Sequence, residues 1–68
     1  MNLLINGKKE DISFSQTPSL SDITKQFSLN KDHIIIEHNG QAYKKEDFDK
    51  VSLSEHDKIE ILHFMGGG

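Results

Sequence analysis

The chain contains no cysteine, so neither a disulfide framework nor a thiolate metal site can reinforce it, and no thiol nucleophile is available. It also lacks any apolar run near the roughly 20 residues that a membrane-spanning helix needs. Met1 leads directly into a strand-like segment with no basic leader region, which sets the expectation of a cytoplasmic protein with no membrane partner. Positive charge is scarce: the formal net charge is −3 and the lysines are spread along the sequence. Phosphate binding relies on Lys and Arg gathered on one face, so a nucleic-acid partner is not expected. A phosphate-cradling loop is missing too, because the only glycine cluster, Gly66-Gly67-Gly68, ends the sequence and opens no helix. The chain is therefore expected to bind no cofactor of its own.

What is present fits one small domain. At 68 residues, only about 60% of the unfolded surface can be buried, and the core must supply all the stability. Hydrophobic residues make up 34% and charged residues 28%, which suits a compact protein rather than a disordered one.

The pattern of apolar residues changes period along the chain. Residues 1–6 alternate Leu3 and Ile5 against Leu4, Gly7-Lys8 supplies a turn, and residues 9–14 read as the return strand through Ile12 and Phe14. In that strand Glu10 and Ser13 are expected to face water. Pro18 breaks the alternation, after which Leu20, Ile23 and Phe27 fall on one face of a helix over residues 20–28, with Ser19 as N-cap and Asp22 at the positive end. Asn30 is the expected terminator. A β-branched run, Ile34-Ile35-Ile36, precedes Asn39-Gly40, the strongest short hairpin signal, and residues 41–44 form its partner strand. Residues 45–49 are charged apart from Phe48, which reads as a short helical turn pinned to the core by one ring. After a turn at residues 54–57 comes a last strand, residues 58–64, with Ile59 and Ile61 alternating against Lys58, Glu60 and Leu62. The order is an α+β architecture: a mixed sheet of four to five strands packed on one main helix, with the first and last strands central and parallel, as in the β-grasp arrangement. Residues 1–64 form the domain and residues 65–68 a flexible Gly-rich tail.

Glycine lacks a Cβ, so a run of three can thread where only backbone fits. Residues 65–68, fully extended, reach roughly 13–14 Å. A carboxylate at Gly68 is ionised at neutral pH and can attack an electrophile such as the α-phosphate of ATP.

The stretch Asp57-Lys58-Ile59-Glu60-Ile61-Leu62-His63-Phe64-Met65-Gly66-Gly67-Gly68 resembles the C-terminus of the ThiS family, the sulfur carriers of thiamine biosynthesis in the ubiquitin-like β-grasp superfamily. Residues 1–7, 19–23 and 34–40 also sit where that family has its first strand, helix start and third strand. The Gly67-Gly68 ending is shared with the molybdopterin-synthase small subunit and with ubiquitin, so a subunit role or a protein-modifier role are the alternatives. Relatives often carry Asp-Gly-Asp before the last strand, where this chain has Glu55-His56-Asp57. The resemblance implies that an E1-like activating enzyme of the ThiF type adenylates the Gly68 carboxyl with ATP and Mg²⁺. Sulfur from a desulfurase system then displaces AMP, and the resulting thiocarboxylate supplies a thiazole synthase of the ThiG type. Gly68 is thus the reactive residue of a protein co-substrate that is not itself an enzyme, with Met65, Gly66 and Gly67 entering the partner.

Other constellations read as structural. His38 and His63 lie on separate strands without i, i+4 pairing, so no metal is expected. Ser54, His56 and Asp57 are neighbours in a turn, whereas a triad is assembled across a fold. The alternation that turns Leu3, Ile5, Ile34, Ile36, Ile59 and Ile61 toward the helix turns Leu4, Ile35 and Leu62 outward. With Phe64 at the exit of the tail, these are expected to form one apolar docking patch.

Overall fold

The computed structural model describes residues 1–64. Five strands, β1 (Asn2–Ile5), β2 (Lys8–Asp11), β3 (Ile34–His38), β4 (Gln41–Tyr43) and β5 (Lys58–His63), form one sheet in the order β2-β1-β5-β3-β4. β1 and β5 are parallel neighbours at its centre, and the other pairs are antiparallel. Both hairpin turns are set by Asn-Gly pairs with positive φ at each residue, 51° and 79° at Asn6-Gly7 and 49° and 90° at Asn39-Gly40. Asn tolerates this left-handed conformation and Gly meets no Cβ penalty, so the turn twist matches that of the strands. The first turn is therefore Asn6-Gly7, one residue earlier than Gly7-Lys8. Asn6 also extends the central ladder, since its side-chain oxygen accepts from the Ile61 N–H at 2.7 Å.

The single α-helix, α1 (Leu20–Gln26), begins at Ser19, whose backbone N–H donates to the Asp22 carboxylate at 2.8 Å. It ends earlier than its apolar spacing suggests. Ser28, not Asn30, takes the left-handed conformation (φ 54°), and the Leu29 N–H turns back to the Thr24 carbonyl at 2.8 Å. Phe27 stands at the C-cap, its N–H still donating to the Ile23 carbonyl at 3.2 Å, and is 38% exposed, while Leu20 and Ile23 are fully buried. Thr24 fills the helix's buried stripe, its hydroxyl donating to the Ser21 carbonyl at 2.6 Å. Asn30 instead caps a 3₁₀ turn, Lys31–His33, by accepting from the Asp32 N–H.

The core lies between α1 and one sheet face: Leu3, Ile5, Ile34, Ile36 and Ile59 from the strands, Leu20 and Ile23 from the helix, and Ile12, Phe48 and Leu53 from the connections. Phe48 belongs to a second 3₁₀ segment, Lys45–Lys50, and is pinned as its lone apolar position implies. Residues 51–53 run back along the helix entrance, with Leu20 N–H bonded to the Val51 carbonyl and Leu53 N–H to the Pro18 carbonyl. β2 stops at Asp11, short of the 9–14 span, and Glu10 stands opposite Leu3 on the helix-side face, half-buried rather than in water. Ile12 and Phe14 pack on the core from beyond the strand end.

Candidate functional site

The expected reactive end, Met65, Gly66, Gly67 and Gly68, lies outside the described residues; what the structure defines is its root. The β3–β5 ladder runs to its last rung, where His63 faces Ile34, and the Phe64 N–H still donates to the His33 carbonyl at 3.0 Å. The main chain is therefore held in register up to Phe64, at one end of the central strand of the sheet.

On the face away from α1, Ile35 stands directly opposite Leu62, and Glu37 opposite Glu60. Leu62 and Phe64 are each 45% exposed and Ile35 is half-buried. Ile35 and Leu62 thus meet near the root, and Phe64 follows directly after β5, where it lines a depression with Ile34 and Lys44. Leu4 does not join them. Its partner in the parallel ladder is Lys58, four residues before Leu62, or about 13 Å along the strand at roughly 3.3 Å per residue. Lys58 and Glu60 fill the gap and pair at 3.6 Å. The single apolar patch expected from alternation is thus divided by register, and Leu4 instead lines a separate concavity with Asn2, Lys9 and His56. Of the residues expected to face the helix, Ile61 alone is only partly buried against the core.

A shallow depression beside Phe64 is bordered by Lys31, Lys44 and Lys45 together with Asp32 and Glu46. Lys45 Nζ lies 2.6 Å from Asp32 Oδ1, and this hydrogen bond lowers the Asp32 carboxyl below its ordinary range and raises the Lys45 ammonium above its own. Both groups are open to solvent, so the pair orders the rim more than it stabilises the fold.

The opposite end of β5 is held by a cluster that sequence reading missed. Burial opposes the charge on Asp57, but hydrogen bonds outweigh it and hold the carboxyl below the usual range: His38 Nε2 at 2.6 Å, the Ser54 N–H at 2.8 Å and Asn39 Nδ2 at 3.2 Å. Asn39 adds two bonds to Lys58, its N–H donating to the carbonyl at 2.8 Å and its side-chain oxygen accepting from the N–H at 2.9 Å. The turn feeding this cluster has His56 at φ 70°, the left-handed region that glycine adopts without cost. The departure from Asp-Gly-Asp thus leaves a residue with a Cβ in glycine's conformation. The available signal was the spacing of Asn39, Asp57 and His38 near two turns, but the sequence does not say that the turns meet.

Among the described residues no group of three His, Cys, Asp or Glu side chains is placed to hold a metal ion, and no helix is long and apolar enough to cross a membrane. His38 and His63 stand at opposite ends of the β3–β5 ladder, on rungs shared with Ile59 and Ile34.

The mixed five-stranded sheet with parallel central strands and one main helix defines a protein of the β-grasp class. The profile of the ThiS family matches residues 3–68. The sulfur carrier protein ThiS of Bacillus subtilis is 36% identical over 67 residues, covering 97% of this chain and 98% of that protein. The crystal structure of the thiamine biosynthesis protein ThiS from Geobacter metallireducens superposes over the whole of both chains with a TM-score of 0.83 at 29% identity. A thiazole synthase of Paramagnetospirillum magneticum contains a region 29% identical along the full chain, which spans 20% of that protein. The chain belongs to the ThiS family.

Proposed function

We propose that this chain carries sulfur for thiazole formation in thiamine biosynthesis as a thiocarboxylate on Gly68. The observation that carries the reading is the family match continuing through the final glycines, beyond a strand whose register is held to its last rung.

The chemistry follows from leaving groups. A carboxylate is a poor acyl donor because oxide would have to leave. An E1-like activating enzyme therefore lets a Gly68 carboxylate oxygen attack the α-phosphorus of ATP, expelling pyrophosphate, with Mg²⁺ balancing the phosphate charge on the enzyme. A sulfide-level nucleophile supplied by a desulfurase system attacks the acyl carbon of the mixed anhydride, the carbon–oxygen bond to AMP breaks, and a carbon–sulfur bond remains. Thiazole synthase receives that sulfur, and the ThiS-like region within the Paramagnetospirillum thiazole synthase supports this choice of partner.

In this reading the domain is a handle. Ile35, Leu62 and Phe64 dock on the partner while residues 65–68 span roughly 13–14 Å into its site. Anchoring the body beside the tail raises the effective concentration of the carboxylate there. The test is the intact mass of the protein after incubation with the cognate activating enzyme, ATP, Mg²⁺ and a sulfur source. The expected result is the gain of one oxygen-to-sulfur exchange, mapped to Gly68; an adduct on an internal residue would refute the reading.

A further inference from the structure

Two Asn-Gly turns clamp β5 from its two sides. In the β1–β2 turn the Asn6 N–H donates to the Ile59 carbonyl at 2.9 Å, and the Asn6 side-chain oxygen accepts from the Ile61 N–H at 2.7 Å. In the β3–β4 turn Asn39 holds Lys58 in the same two ways, at 2.8 and 2.9 Å. Asn-Gly is also the dipeptide that cyclises most readily, because the glycine nitrogen has no neighbouring Cβ to hinder its attack on the Asn side chain. Both turns are exposed to water, and the space where a Cβ would stand at Gly7 or Gly40 is clear to 4 Å, so the ring has room in either.

What separates the turns is the grip on the amide. Besides its bond from Lys58, Asn39 donates through Nδ2 to Asp57 Oδ1 at 3.2 Å, and the same nitrogen lies 3.4 Å from His38 Nε2. Cyclisation must turn this amide out of all three contacts and build negative charge on it beside the Asp57 carboxylate, a like-charge arrangement that is disfavoured. Among the described residues the Asn6 side chain has one hydrogen bond, that from Ile61, and no carboxylate is bonded to it.

We infer that Asn6 is a site of spontaneous deamidation in the folded chain and that Asn39 is its protected counterpart. The Gly7 nitrogen loses its proton and attacks Asn6 Cγ, the bond from Cγ to the side-chain nitrogen breaks, and ammonia leaves. Water then opens the five-membered imide. Cleavage between Cγ and the Gly7 nitrogen leaves aspartate. Cleavage between the backbone carbonyl carbon of residue 6 and that nitrogen leaves isoaspartate, with the main chain rerouted through Cγ. One water is consumed and one ammonia released, with no oxidation or reduction. Aspartate keeps an oxygen for the Ile61 N–H. Isoaspartate adds a methylene to a two-residue turn whose twist matches the flanking strands, and so withdraws that acceptor from β5 two residues before His63, on the last rung before the tail. The inference stands independently of the carrier reading.

The test is peptide mapping of the full-length protein held at mildly alkaline pH and physiological temperature, native and in urea, with the two turns scored separately for the amide-to-acid mass gain. Urea supplies the intrinsic rate of each turn. The ratio of the Asn6 rate to the Asn39 rate should be higher in the native chain than in urea by about fivefold or more, the factor set by one hydrogen bond of ordinary net strength. A native ratio equal to or below that in urea overturns the inference, as does a native chain in which Asn6 stays intact while the unfolded chain reacts. The isoaspartyl product, isolated by its added negative charge, should exchange the Ile61 amide hydrogen about tenfold faster than the parent, whereas Asn6→Asp should keep the parent's protection. Unchanged exchange at Ile61 in the isoaspartyl product overturns the stated effect on β5.

Discussion

Ile35 and Leu62 face each other across the β3–β5 ladder on the sheet surface that α1 leaves uncovered, next to the last backbone hydrogen bond before the glycine tail. In the carrier reading proposed above, the pair supplies apolar contact area to the partner beside the root of the tail. Leu62→Glu and Phe64→Glu should each weaken binding to the activating enzyme by tenfold or more, with stability within about 1 kcal/mol of the parent, as for surface substitutions. Leu4→Glu, which lies across Lys58, should leave that affinity within about threefold, a smaller change than interface substitutions make. Equal losses in all three variants would restore Leu4 to a common patch.

His56 holds a left-handed backbone (φ 70°) that costs an L-residue roughly 1–2 kcal/mol, partly offset in a glycine variant by the looser unfolded chain. His56→Gly should therefore raise stability by about 0.5–1 kcal/mol in urea unfolding. A loss of stability would mean that the His56 side chain contributes more than its backbone strain costs.

The Asp57 carboxyl is held below its ordinary range chiefly against burial, by His38, the Ser54 N–H and Asn39. A carboxyl depressed in the folded state gives stability that is complete above its unfolded pKa and is lost as pH falls toward the folded one. Urea midpoints should decline below the usual carboxylate range, and Asp57→Asn should flatten that decline while lowering stability at neutral pH. An acid limb of unchanged slope in Asp57→Asn would assign the decline to other carboxyls, of which Asp32 and Glu55 are also depressed.

Much of the fold is legible because its strongest signals are local. Period-two alternation marks the strands, Asn39-Gly40 marks the second hairpin, Gly7 marks the first with its turn placed one residue late, and Ser19 with Asp22 starts the helix, each acting within a few residues. What the sequence hides depends on register and on the meeting of distant turns. Alternation tells which way Leu4 and Leu62 point but not that they stand four residues apart in the parallel ladder. Phe27 has helical spacing, yet the helix ends at Gln26 and leaves it at the C-cap, 38% exposed. Glu10 faces the core side because the Asn6-Gly7 turn fixes its pairing with Leu3. The Asp57 cluster joins residues 18 and 19 positions apart, a contact that no local pattern encodes. The root of the site was legible from the aliphatic last strand leading into the terminal glycines, and the facing of Glu37 and Glu60 behind it emerged only with the register.

The central claim concerns one atom. Full-length protein and a variant lacking Gly68 should melt alike, because residues 1–64 hold the entire described core. Each is then incubated with the cognate activating enzyme, ATP, Mg²⁺ and a sulfur source and weighed intact by mass spectrometry. The full-length chain should gain the mass of one oxygen-to-sulfur exchange on Gly68, and the shortened chain none. A gain in the shortened chain, or none in the full-length chain under conditions that load a sulfur carrier of the same family, would contradict the assignment of Gly68 as the sulfur-bearing residue.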